Sequence, residues 1–308
     1  MTSPLLIQRR YSNSSAWRRP FGPWLAIAVS VSVAVASGCS NGQGAAHQPS
    51  GEQGIVTVSV AASTTDAIKK IAHLFERDGV TGDGALADEL TAGGAPGARV
   101  NRVRINSGPS SGMASQILSG APADIFLSAN EKWADAIADK GLALARQNLL
   151  SNRLVLIVPA GNPANIQQPT DLAGTEATRI ALAGERVPAG IYADEALGSL
   201  HLSDRLSAGR RIVRGQTVRV VLGYVEQGEV AAGIVYSTDA KVSGKVETTY
   251  EFDPSNHSPI IYPIMLLKAG EKNAAAREFY EFLSSPAAAA VFEECGFQMA
   301  PAGSEPVE

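Results

Sequence analysis

A chain of 308 residues with a formal net charge of −4 and only two cysteines excludes two kinds of protein at the outset. Its acidity makes it a poor binder of nucleic acid. It is also no disulfide-stapled scaffold, since a core of the size this length allows needs no staples even outside the cytoplasm.

In chain order, residues 1–39 read as a secretory signal outside the fold. Arg9, Arg10, Arg18 and Arg19 precede an apolar run from Trp24 to Gly38, closing with Ala36-Ser37-Gly38-Cys39. The run is short for a membrane span, which needs about 20 residues. Small residues before a Cys resemble a bacterial lipobox, which implies that Cys39 becomes the lipidated first residue. An ordinary signal peptide or an uncleaved anchor is the alternative. The segment holds four arginines and no acid, so the remainder stands at −8. Residues 40–53 are polar and aperiodic, a flexible tether.

The fold is expected to start near Ile55, where Ile55–Val60 alternates as a strand. Ser63-Thr64-Thr65-Asp66 opens a helix with Ile68, Ile71, Ala72 and Phe75 on one face. Residues 78–97 read as an exposed excursion rich in Gly and Ala. A strand over Val100–Ile105 leads through Ser107-Gly108-Pro109-Ser110-Ser111-Gly112 into a helix carrying Met113 and Ile117. Further strands are read at Ile125–Leu127, Leu154–Val158, Arg179–Ala183, Ala232–Tyr236 and Ile260–Leu267. Helices follow Ser128-Ala129-Asn130, Val187-Pro188-Ala189-Gly190 and Arg214-Gly215-Gln216-Thr217-Val218, and two more close the chain at 271–284 and 286–295. Alternating β and α elements give an α/β fold with mainly parallel sheets, whose ligand sits beyond the carboxyl ends of the strands. Cys295 is read as a packing residue.

Four of these turns, at Ala62–Thr65, Ser107–Gly112, Val187–Gly190 and Arg214–Val218, carry small or hydroxyl residues directly before a helix. A helix start presents unpaired N–H groups and partial positive charge. Their recurrence in an acidic chain suggests a shared pocket for a small oxyanion, built from oriented donors rather than from a basic surface. Taken singly, Ser63 and Ser110 also suit plain helix caps, Tyr236 and Val218 suit core packing, and Arg214 suits an exposed cation.

Ala61-Ala62-Ser63, Ser110-Ser111-Gly112, Gly120–Ala129, Val187–Ala193 and Ala232–Tyr236 together resemble the periplasmic molybdate-binding proteins of ABC transporters, over residues 55 to 300. The resemblance implies a type II periplasmic-binding-protein fold of two α/β lobes joined by a pair of crossing strands, with the ligand cleft between them. It puts the crossings near Val158 and Tyr262, with lobe one at 54–157 plus 260–308 and lobe two at 158–259. It also implies an oxyanion held by the Ser63 and Ser110 hydroxyls, the backbone N–H groups of Ala189 and Val218, and the Tyr236 hydroxyl. Val213 is the alternative to Val218 if that loop is shifted. Pro109, where the family commonly has a small residue, removes one N–H from its turn.

The implied protein is a monomeric, lipid-anchored, extracytoplasmic receptor delivering molybdate or tungstate to a membrane permease. It uses no cofactor and no metal ligated directly by protein. A receptor for sulfate or phosphate would keep the fold and change the pocket. A hydrolase is disfavoured, because no Gly-x-Ser-x-Gly elbow is present and the four His, at 47, 73, 201 and 257, are scattered.

Overall fold

The computed structural model describes residues 54–78, 102–174 and 179–300. The expected signal with Cys39, the tether 40–53 and nearly all of the 78–97 excursion lie outside them.

The first sheet begins with β1 (Ile55–Ala61), followed by a 3-10 turn (Ala62–Thr64) and α1 (Thr65–Asp78). Next come β2 (Arg102–Gly108), α2 (Ser110–Leu118), β3 (Ile125–Leu127), α3 (Glu131–Ala138) and β4 (Ala143–Ser151). The chain then builds a second sheet from β5 (Leu154–Pro159), β6 (Ile180–Ala183), α4 (Pro188–Ser199), α5 (Ser203–Ala208) and β7 (Ile212–Gly215). α6 (Val218–Glu226), β8 (Ala232–Tyr236), α7 (Ser237–Lys241) and β9 (Val246–Glu251) complete it. β10 (Ile261–Leu267) returns to the first sheet, followed by α8 (Ala274–Phe282), α9 (Pro286–Glu294) and β11 (Gln298–Met299).

The six-stranded sheet has the order β11-β4-β10-β3-β1-β2 and the five-stranded sheet β7-β6-β8-β5-β9. Period-two alternation sorts side chains between the faces of the first sheet. Phe126, Met265 and Leu267 pack with Met113, Ile117, Ala134 and Ile137 of α2 and α3. Their neighbours Ile125, Leu127, Ile264 and Leu266 join Ile68, Ile71 and Phe75 of α1 and Phe279 of α8 in the main core.

Both sheets are mixed rather than mainly parallel. β1 pairs in parallel with β2 and β3, and β6 with β7 and β8, whereas β4, β5, β9, β10 and β11 pair antiparallel. Four of these, β4, β5, β9 and β10, flank the two passages between sheets. There the chain passes from one sheet into the other with no α-helix to turn it back for a parallel partner.

The first passage also differs from the expected position near Val158. Leu154–Pro159 is hydrogen-bonded to β8 and β9, inside the second sheet, so the chain crosses at Asn152–Arg153. The reading missed β4, whose Arg146-Gln147-Asn148 centre interrupts the apolar pattern. The return runs from Phe252 to Ile260, close to the expected Tyr262, and the Asn152 N–H donates to the Ile260 carbonyl at 3.3 Å.

Candidate functional site

Between the carboxyl ends of β1, β2, β6 and β8 lies a cavity lined by Ser63, Ser110, Ala189, Val218 and Tyr236, with Ala61, Ala62, Gly108, Pro109, Ala129, Val187, Pro188 and Thr217. All five residues expected to form the site therefore meet at one place. Val213, the alternative to Val218, is not among the lining residues. The cavity measures about 10 Å³, the room that one water-sized body needs.

Each wall follows from local sequence. α1 is entered through the 3-10 turn that buries Ser63. α2 begins at Ser110, with the extended Pro109 as N-cap, so the N–H that Pro109 lacks is one that no cap needs. α4 has Pro188 at its first position, so Ala189 follows with an N–H that has no partner within the helix. α6 is capped by Thr217, whose side chain accepts from the Val220 N–H at 3.2 Å, and starts at Val218. Four helices of nine residues or more thus direct their N-termini at one cavity, each adding partial positive charge. No lining residue is ionisable at neutral pH.

The Ser110 hydroxyl is set as a donor. Ser110 Oγ accepts the Ala129 N–H at 2.9 Å, leaving its proton free. Ser63 Oγ lies 3.2 Å from the Tyr262 hydroxyl. The Tyr236 hydroxyl is fully enclosed and makes no hydrogen bond to protein. Burial, then the neighbouring Tyr262 and Tyr192, hold the Tyr236 phenol well above its ordinary pKa, so it stays protonated. A buried donor without a partner in a natural protein calls for an explanation.

Arg214, read from sequence as an exposed cation, is partly buried and turned away from the cavity. Its guanidinium makes a two-pronged pair with Asp194 of α4 at 3.0 and 2.8 Å and donates to the Ala183 carbonyl at 3.0 Å. Cys295 is half-buried against the core, with its thiol pKa raised chiefly by burial.

Contacts that no local pattern announces join the two sheets' helices around the cavity. Arg219 of α6 reaches Asp66 of α1 at 3.0 Å and Asp239 of α7 at 2.7 Å. On another side, Trp133 Nε1 of α3 donates to the Arg186 carbonyl at 3.2 Å, with the Arg186 guanidinium 5.8 Å from the Trp133 ring centre. Of these, the Arg219–Asp66 and Trp133–Arg186 contacts span the cleft. Asp239 is fully buried, and burial pushes its carboxyl up to about 6 against the pull of Arg219. Between about pH 4 and pH 6 the folded state therefore holds this proton more tightly than the unfolded chain. The stability it contributes is complete below that window and lost as pH rises through it. Asp239→Asn, which mimics the protonated form, should gain in melting temperature relative to the parent from pH 4 to pH 7. Melting curves at unit pH intervals check this, and a difference that stays flat or falls would refute it.

Among the described residues there is no cluster of His, Cys, Asp or Glu that could hold a metal ion, and no helix long and apolar enough to cross a membrane. The family model for bacterial extracellular solute-binding proteins matches residues 56–298. A putative ABC transporter substrate-binding lipoprotein of Bacillus subtilis, YvgL, is 36% identical over 274 residues, covering 88% of this chain and 96% of that protein. The molybdate-binding protein ModA of Haemophilus influenzae is 37% identical over 248 residues, covering 79% and 89%. Among solved structures, the substrate binding domain of a putative molybdenum ABC transporter from Clostridium difficile superposes with a TM-score of 0.58 at 30% identity, covering 80% of this chain and 99% of that one. Two mixed sheets, a closed cleft between them and a match over nearly the whole described chain make this protein a member of the bacterial extracellular solute-binding protein family.

Proposed function

We propose that this protein is the receptor of an ABC-type importer and captures molybdate or tungstate in the cavity between its sheets. The observation that carries this reading is the buried, unpartnered Tyr236 hydroxyl, facing a space lined only by neutral groups and four helix starts. A fully deprotonated tetrahedral oxyanion accepts hydrogen bonds on every side and donates none, which such a lining serves. Hydrogenphosphate would need an acceptor for its proton, and no carboxylate lines the cavity.

In this reading the Ser63, Ser110 and Tyr236 hydroxyls and the Ala189 and Val218 N–H groups are the donors. At about 1.5–3 kcal/mol each, five such bonds give roughly 8–15 kcal/mol gross. Dehydration of the anion and closure of the lobes oppose that sum, leaving micromolar to nanomolar affinity. The lobes are assigned as 54–152 with 261–308, and 153–260. Lipidation at Cys39, a tether over 40–53, a monomeric state and delivery of the loaded, closed form to a membrane permease complete the proposal.

Titration calorimetry with molybdate, tungstate, sulfate and phosphate tests it. Submicromolar binding of the first two, with none of the others, is expected. Binding of sulfate or phosphate alone would transfer the protein to that ligand, and silence from all four would defeat the oxyanion reading.

A further inference from the structure

The crossing residue Asn152 sits at the centre of a hydrogen-bond chain that ends in the cavity. Its Oδ1 accepts the Arg153 backbone N–H at 2.9 Å and the Ser237 hydroxyl at 3.1 Å. A backbone N–H can only donate, so it fixes which way the amide faces. The Asn152 amide nitrogen therefore points the other way, donating to Thr238 Oγ1 at 2.9 Å and to the Tyr262 hydroxyl at 3.2 Å.

Tyr262 is completely buried on β10, with Ser63 Oγ 3.2 Å from its hydroxyl. With Asn152 donating to its oxygen, the phenol keeps a proton of its own to give, and Ser63 Oγ lies within reach of it. Ser63, having accepted from Tyr262, is left with a proton that faces the cavity. Tyr262 does not line the cavity. It acts on a ligand only through Ser63.

We propose that Asn152 and Tyr262 are positioning residues that lock Ser63 into the donor state, tying the polarity of the binding site to the geometry of the crossing between the lobes. The chain draws on both sides of the cleft: Tyr262 and Ser63 belong to the first sheet and its helices, and Ser237 and Thr238 start α7 beyond the second. A change of angle at Asn152 moves the amide relative to one side or the other and breaks the relay. Ser63 is thereby a committed donor in the closed arrangement. Ser110 is held independently by the Ala129 N–H. This inference rests on the oxyanion reading of the cavity.

The test is a pair of double-mutant cycles on the protein expressed from the full sequence, read as molybdate affinity by calorimetry. Tyr262→Phe is expected to weaken binding about tenfold, and in a Ser63→Ala background to cost nothing further. Combined with Ser110→Ala, the same change should multiply with the loss from that variant. A merely structural role for Tyr262 would give the same loss in every background. Asn152→Ala supplies a second route should Tyr262→Phe fail to fold; it should weaken binding about threefold and be silent once Ser63 is Ala. Parental affinity in Tyr262→Phe, or an undiminished loss in the Ser63→Ala background, overturns the relay. Absence of molybdate binding by the parent protein is a separate result, defeating the receptor reading and the relay with it.

Discussion

Tyr236→Phe is expected to weaken molybdate by about 10–150-fold while leaving the ligand-free protein as stable as before, or slightly more stable. The affinity follows from losing one hydrogen bond to a charged group, about 1.5–3 kcal/mol. The stability follows from what the hydroxyl lacks. It is buried without a protein partner, so in the empty protein it bears a desolvation cost that deletion removes. The ring keeps its edge-to-face neighbours Tyr192 and Tyr262, with centroids at 6.4 and 5.8 Å. Calorimetric titration and ligand-free melting, run on the same preparation, read both signs at once. A large fall in ligand-free stability would mean that the hydroxyl serves the fold, and an unchanged affinity would remove Tyr236 from the site.

Gly190→Ala should be the most damaging small substitution in the second lobe. A Cβ on Gly190 would fall well inside the carbonyl oxygens of Gly184 and Ala183, which are backbone atoms with nowhere to move. Gly184 is itself pinned, donating to the Gly215 carbonyl at 2.9 Å and accepting from the Val187 N–H at 2.8 Å. The first turn of α4 must then lift from β6, and the neighbouring Ala189 N–H is carried out of the cavity wall. An overpacking cost of about 3 kcal/mol corresponds to a melting temperature lower by roughly 6–12 °C at this chain size. Molybdate should weaken by about tenfold or more in parallel. Gly198→Ala, on the same helix, is the control. Its Cβ would meet only Ser203 Oγ at 3.8 Å, and alanine's helix propensity should stabilise by about 0.5–1 kcal/mol. Equal effects of the two changes would refute the packing argument.

The site was more legible in sequence than the frame that holds it. Ser63, Ser110, Ala189, Val218 and Tyr236 lie at or beside strand-to-helix junctions, and junctions leave local traces: a hydroxyl, a Pro, a glycine, then a helical stripe. Their convergence on one cavity follows from the α/β alternation that brings strand ends together. What escaped was structure made by distant partners. β4 and β9 show no clean alternation because both are half-exposed. β7 is four residues long and reads as part of a turn. The contacts of Arg219 with Asp66 and Asp239, and of Trp133 with Arg186, pair residues from about twenty to about a hundred and fifty positions apart, which no local pattern encodes.

The second sheet is a single uninterrupted stretch of chain set inside the first. β4 and β10 pair Ser151 with Ile261 and Ala145 with Leu266, partners about a hundred residues apart. The second lobe can therefore assemble as soon as its own segment is available, while the first must wait for β10 to arrive. Bringing those ends together from an unstructured segment would cost loop-closure entropy that rises with its length, by about 0.6 kcal/mol per doubling. A second lobe that has already condensed shortens that loop, because its entry at Leu154 and its exit at Glu251 lie on adjacent strands. The topology favours an order in which the inserted lobe folds first and the interrupted lobe closes around it last.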